Sequence, residues 1–323
     1  MSAFNAWLLE NLDREMNVEQ LAVLIKVLRG WFSSSTAVHR QRALESSKLL
    51  FIHFYENVEV VLGHAIPFPA FGYMLARFAP RAWDDDRIVR KTAMSCLYWL
   101  LEIASLHRGH GKGYCDSVIE IAKSACDQID TSSNELLVDL LNRICEVIDQ
   151  RLPASNMQQY ISVLTELLTD EQETVSQAAA VLLKSTLASR GHMLAAEATT
   201  LVNTLVEKFK SGKLCLQTYA ETLQAFYEFS RHHIAVVIRC LLGTEIPLSQ
   251  AVCDCWRILV RDPTIFTNII DHLLKMANVE GQFKQNDANP PTLVSMAPIA
   301  STAALREVIQ VSQSFYSENS EVT

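Results

Sequence analysis

Apolar residues recur along this chain at three- and four-residue spacing, in segment after segment. Val18, Leu21, Leu24, Ile25, Leu28 and Phe32 share one helical stripe. Phe71, Met74, Leu75 and Phe78 form a second, Ile161, Leu164, Leu167 and Leu168 a third, and Leu201, Leu205, Val206 and Phe209 a fourth. A 3.6-residue period with polar positions between is the signature of amphipathic helices. No alternation of strand and helix patterns interrupts them. The 10 Gly and 9 Pro in 323 residues are too few for a turn-rich β fold.

The segments pair. Outer helices are predicted to start near Val18, Pro69, Gly113, Pro153, His192, Arg231 and Pro263. Inner helices follow near Thr36, Asp84, Thr131, Asp170, Gly212, Pro247 and Thr292. Successive outer starts lie 32 to 51 residues apart. Two helices per unit of about 40 residues is the HEAT and armadillo range. The expected fold is an all-α, HEAT/armadillo-type solenoid of about seven helical pairs. It is read as one domain over 1–323, with a capping helix in 1–17 and a polar loop at 281–292 before the last helix. Asp170, Thr131 and Ser132 suit helix N-caps, and Pro69, Pro153, Pro247 and Pro263 suit first turns.

Two inner helices carry the repeat pattern most clearly. Asp86-Arg87-Ile88-Val89-Arg90-Lys91-Thr92-Ala93 leads to Leu97, and Asp170-Glu171-Gln172-Glu173-Thr174-Val175 leads to Ala178-Ala179 and Leu182-Leu183. An acidic start favours the positive end of a helix, and a small Ala lets a neighbouring helix approach. Trp31-Phe32-Ser33-Ser34-Ser35, His39 through Leu44, and Leu49 through Tyr55 resemble the maestro HEAT-like repeat family. So does the stretch from Leu75 through Phe78-Ala79-Pro80-Arg81 to Arg90-Lys91-Thr92-Ala93 and Tyr98-Trp99-Leu100-Leu101, while Met296 through Ala300 is compatible with it. The resemblance is specific over about residues 27–105 and generic elsewhere. It implies an α-solenoid without enzymatic activity, and a short member or a portion of a longer solenoid.

Charge narrows the partners. Twenty-eight Lys+Arg against 36 Asp+Glu give a net charge of −8, so no global basic footprint for nucleic acid exists. The local exception is Arg77, Arg81, Arg87, Arg90 and Lys91, running around Asp84-Asp85-Asp86. These five residues are the candidate interaction patch for an acidic partner, set against a solvated face or an intramolecular ladder.

Chemistry-bearing motifs lead elsewhere. His107, His110 and Cys115 supply three zinc ligands where a structural site needs four. The glycines and Lys112 of that segment lack the G-x-x-x-x-G-K-[ST] phosphate loop, so it reads as a flexible loop punctuated by Gly. Cys253 and Cys255 point to different faces of one helix, and core packing beside Trp256 fits them better than a shared ion. His232-His233 lies at a helix junction without a third group to orient it. There is no G-x-S-x-G elbow and no H-E-x-x-H helix. No catalytic, cofactor or metal residue is therefore assigned, and no small-molecule substrate.

The expected role is a non-enzymatic scaffold or adaptor that binds protein partners along an elongated helical surface. The alternative is a cytosolic tether at an organelle membrane. Its weakness is the lack of a dense polybasic cluster and of a myristoylation Gly. Eight cysteines, most of them inside apolar helical patterns, in a chain this long without a secretory signal, point to free thiols and a cytoplasmic setting.

Overall fold

The computed structural model describes residues 2–129, 134–244 and 247–279, with 304, 306 and 309 beyond. Side chains are described within these, except at 134–137 and 274–278, and at 279. Regular structure among the described residues is helical. The helices are α1 (Ala3–Arg14), α2 (Val18–Val27), the short α3 (Arg29–Phe32), α4 (Ala37–Asn57), α5 (Phe71–Phe78), α6 (Arg87–His107), α7 (Ser117–Gln128), α8 (Asn134–Arg151), α9 (Met157–Leu167), α10 (Glu173–Arg190), α11 (Ala198–Lys210), α12 (Leu216–Leu242), α13 (Gln250–Val260) and α14 (Pro263–Val279). Single 3-10 turns occupy Pro80–Trp83, Ala154–Asn156 and Gly191–Leu194. The chain forms two compact units, Met1–Ser189 and Arg190–Thr323.

Helix starts follow local chemistry. Ser2 caps α1 by accepting from Asn5 N at 3.2 Å, and Asn17 caps α2 by accepting from Gln20 N at 2.8 Å. Asp86 caps α6 through Ile88 N and Val89 N, and Asp116 caps α7 through Val118 N and Ile119 N. Each such side chain satisfies amides that have no partner inside the helix. Pro263 opens α14, as a proline in a first turn should. Pro247 stands three residues before α13, whose cap is Ser249. The expected caps Thr131 and Ser132, the loop at 281–292 and the helix start at Thr292 lie outside the described residues.

In the first unit α4 and α6 pack closely. Ala43 and Ala93 are buried to 1% and 0% exposure, and Cys96 Sγ donates to Leu44 O at 3.3 Å. Both alanines lie nine residues after Ser34 and Asp84, and Ala179 lies nine after Asp170. The three repeats thus place a small residue at one register position, where a larger side chain would hold two backbones apart. Phe78 joins the inner and outer layers, with its ring edge-on to Phe32 at 5.6 Å and to Phe51 at 5.3 Å.

Alternate layers do not follow the simple order of the sequence. The helix lying alongside α5 is α9. Asn156 Nδ2 donates to Phe68 O and Pro69 O, Arg77 meets Glu166, and Arg81 meets Asp170. Contact partners rise together along both segments, so they run in the same direction. Gly72 is required by this stacking, because a Cβ there would stand 2.3 Å from Asn156 O. The pair α7–α8 lies between them in sequence, and α7 packs on α6.

In the second unit Tyr219 donates to Asp254 at 2.8 Å and Tyr227 to Asp262 at 2.9 Å. Both spans are 35 residues, so the first part of α12 runs parallel to α13 and on toward the start of α14. The helix start expected near Arg231 is instead a kink inside α12. His233 has φ −133° and ψ 36°, and its Nε2 lies 2.9 Å from Gly191 O.

Ala93 and Ala179 are both fully buried, so a carboxylate at either would lack water and a partner. Ala179→Glu is expected to cost several kcal/mol and to lower Tm by roughly 10 °C. Thermal unfolding followed by circular dichroism checks it, with Ala179→Ser as a mild control.

Candidate functional site

The five basic residues proposed as a patch are distributed over three elements and two different environments. Arg77 lies in α5 and Arg81 in the 3-10 turn that follows, both on the side packed against α9. Arg87, Arg90 and Lys91 lie in the first turns of α6. The turn Asp84–Asp86 joins them, with Asp84 fully buried, Asp85 exposed and Asp86 capping α6.

Arg77 and Arg81 do not belong to a surface. Arg77 is 2% exposed and donates Nη2 to Glu166 at 2.7 Å. Arg81 is 0% exposed and meets Asp170 through both terminal nitrogens, with a further bond to Ser33 Oγ at 3.0 Å. Ser33 Oγ itself donates to Asp170 at 2.8 Å. The physical reason is desolvation. A guanidinium taken out of water demands carboxylates, and α9 and the turn after it supply them. Burial pushes the Arg81 pKa down, while Asp170 and Asp84 hold it up against that pull.

A second pair precedes this one. Arg40, near the start of α4, is 2% exposed and grips Asp84 in a fork, Nε to Oδ2 at 2.8 Å and Nη2 to Oδ1 at 2.7 Å. Its Nη1 donates to Ser34 O and Ser35 O at 2.8 and 3.0 Å. Arg90 repeats that last contact one unit on, with Nη1 donating to Asp84 O at 2.7 Å and Asp85 O at 2.9 Å. Arg40 and Arg90 each stand six residues after the head of their inner-helix turn. Asp84 and Asp170 correspond likewise, each accepting the amide two residues on, from Asp86 and Gln172. The first unit is thus threaded by a ladder of buried Arg–Asp pairs between repeats.

Glu166 closes the outer side. Burial alone would raise its pKa, but hydrogen bonds from Arg77 and Arg29 outweigh that and hold it below the usual range. Arg40, Asp170 and Glu166 were not among the sequence candidates. The shared register of Arg40 and Arg90 was the signal for the first. Nothing short of the tertiary structure places Glu166 beside Arg77.

On the surface, then, stand the α6 cations. Arg87 and Lys91 are exposed, four residues apart on one helix face, and Arg90 is half-buried beside them.

The other motifs are resolved as follows. His107 rests on the Phe68 ring at 5.0 Å, and burial lowers its pKa. His110 stacks on Tyr114 at 3.9 Å. The segment is not a loose loop. Gly63 N donates to Gly109 O, Ile66 N to His107 O, and Gly113 N to Tyr55 Oη, at 2.9, 2.7 and 2.7 Å. Among the described residues no group of three or more His, Cys, Asp or Glu is placed to hold a metal ion. Cys255 is buried beside the buried Trp256, as its apolar register required, and Cys253 is half-exposed. All eight cysteines are free thiols.

Two outcomes follow. Arg81→Met would strand the Asp170 carboxylate in the core and is expected to cost about 3–5 kcal/mol. Arg81→Met with Asp170→Leu should recover most of that loss, which urea denaturation of both variants would show. In a timed thiol titration of the native protein, the exposed Cys115 should react first. Cys96 and Cys255 should react only on unfolding, since burial both shields them and raises their pKa values.

Comparison with known proteins extends the repeat reading along the chain. The family model for Maestro HEAT repeats matches residues 38–270, far beyond the 27–105 stretch that carries the specific motifs. Maestro heat-like repeat-containing protein family member 1 homolog of Caenorhabditis elegans is 32% identical over 305 residues, covering 90% of this chain and 17% of its own length. Maestro heat-like repeat-containing protein family member 1 of Homo sapiens is 28% identical over 305 residues, covering 92% of this chain and 18% of its own. The Bos taurus protein of that name is 28% identical over 295 residues, at 89% and 18%. The chain therefore spans less than a fifth of the length of these relatives. With its all-helical repeats, its inter-repeat Arg–Asp ladder and a family match over most of its length, this chain belongs to the Maestro HEAT-repeat family, with an α-solenoid fold.

Proposed function

We propose that this chain is a non-enzymatic scaffold that binds protein partners through its helical surface, in a cytoplasmic setting. The reading treats 1–323 as one repeat array. The observation that supports it most directly is the cationic edge at the start of α6. Arg90 is clamped to two backbone carbonyls, so its guanidinium is held in place before any partner arrives. Arg87 and Lys91 stand beside it with exposed side chains. Several fixed cations raise the local potential and speed capture of an acidic segment, more than they add affinity. The net charge of −8 argues against nucleic acid as the partner of this edge. No helix among the described residues is long and apolar enough to cross a membrane.

Arg77 and Arg81 drop out of the binding edge, because their charge is consumed inside the fold. The edge is Arg87, Arg90 and Lys91. Arg87→Glu with Lys91→Glu should leave helical content intact and remove a subset of co-purifying proteins. The loss should be larger at low salt, where surface charges are less screened. Affinity purification with mass spectrometry at two salt concentrations checks it. An unchanged set of partners for the folded variant would move the binding surface elsewhere on the chain.

A further inference from the structure

The first unit holds a cavity of about 540 Å³ between the segment 65–69, the end of α6 and the turn 153–156. Its walls are pinned from three sides. Ile66 N donates to His107 O at 2.7 Å, Gly63 N donates to Gly109 O at 2.9 Å, and Asn156 Nδ2 donates to Phe68 O and Pro69 O. Gly109 makes the clamp to Gly63 achievable. It has φ +85°, and a Cβ there would stand 2.7 Å from His64 N. The cavity is therefore built into the fold and does not wait for a ligand to form it. Its volume is that of an ordinary small-molecule site.

The lining divides by chemistry. Ile66, Pro67, Phe68, Phe71, Leu101 and Pro153 make an apolar body. His107, Arg108 and Arg151 are the basic side chains of the lining. Arg151 forms an ion pair with Asp116, whose other oxygen caps α7, so that carboxylate is fully engaged. Arg151 Nε and His107 Nδ1 are buried without a hydrogen-bond partner among the described residues. Arg108 stands at the exposed rim. Partial burial and then the positive charge of Arg151 lower its pKa, and the Asp116 carboxylate offsets part of that. Of the side chains lining the cavity, none is a carboxylate. A cavity with an apolar body, two cations in its lining and unspent polar nitrogens is complementary to a molecule with an apolar ring or chain and one negative charge.

We propose that this cavity is a binding site for a small amphiphilic anion, its charged group held by Arg108 and Arg151 and its apolar part seated against Phe68 and Pro153. The site is independent of the α6 cationic edge and of protein binding there. The anionic group adds a second negative charge for two guanidiniums that have only Asp116 between them, and the apolar body displaces water from the prolines and Phe68.

Two dyes separate the anion from the apolar body. The first is 8-anilinonaphthalene-1-sulfonate. The second is N-phenyl-1-naphthylamine, the same ring system without the sulfonate. Fluorescence titration of the full chain should give saturable binding of the sulfonate. Arg108→Gln should weaken the sulfonate about tenfold, the loss of one charge-assisted hydrogen bond, and leave the neutral amine unchanged. Ala104→Trp, which fills the cavity, should remove both dyes with helical content retained. Unchanged sulfonate affinity in Arg108→Gln would overturn the proposal. Equal weakening of both dyes would overturn it too, as loss of the cavity and not of a charge. Wild-type sulfonate binding by folded Ala104→Trp would place the dye elsewhere and end the assignment. Arg108 is exposed, so its Gln variant keeps the test open even where Ala104→Trp fails to fold.

Discussion

Arg81 lies fully out of water between Asp170 and Ser33, and Arg40 grips Asp84 through two nitrogens. These pairs govern how the first unit is arranged. A buried ion pair adds little to stability against an apolar alternative of the same shape, because desolvation consumes most of the attraction. Its force is in what it forbids. Any register that slides α5 along α9, or α4 along α6, leaves a charge in the core without its partner. Apolar helix faces tolerate such slips far better, since Leu against Leu looks much the same one turn away. The ladder therefore supplies specificity that the leucine stripes do not.

The same logic explains why the basic run misleads when it is read along the sequence. Arg77, Arg81, Arg87, Arg90 and Lys91 look alike as letters, yet they fall into two classes. The first two face α9 and its acids. The last three follow the cap Asp86 onto α6, where Arg87 and Lys91 are exposed and Arg90 is half-buried. Fifteen residues of chain hold both a structural ion-pair system and a cationic edge. The divider is Asp84, which is claimed by Arg40 from the preceding repeat.

Much of the architecture was legible from the chain alone. Helices α4, α6, α10, α13 and α14 begin within a few residues of their predicted starts, because caps, prolines and the 3.6 period are local signals. Ala93 and Ala179 were readable as close-approach positions for the same reason. The stacking of α5 on α9 was not readable, since Glu166 and Asp170 differ from other helix-end acids only in what lies opposite them. The kink at His233 was half visible: a junction was expected at Arg231, and the chain instead bends within one helix, held by Gly191 O. The cavity beside His107 was hidden altogether. Its residues come from three separated segments, and the glycine that clamps it reads in sequence as loop punctuation.

The 89-residue interval from Arg81 to Asp170 also has a meaning in time. A repeat protein whose units touch only sequence neighbours is able to fold as each unit leaves the ribosome. Here Arg77 and Arg81 reach their main carboxylate partners, Glu166 and Asp170, only once α9 and the turn after it have been made. At synthesis rates of about 5–20 residues per second, that is a wait of roughly 4–18 s. Over this interval the nascent chain carries two guanidiniums that can be solvated but not buried. The α5 layer closes late, and the first unit completes as a block and not repeat by repeat.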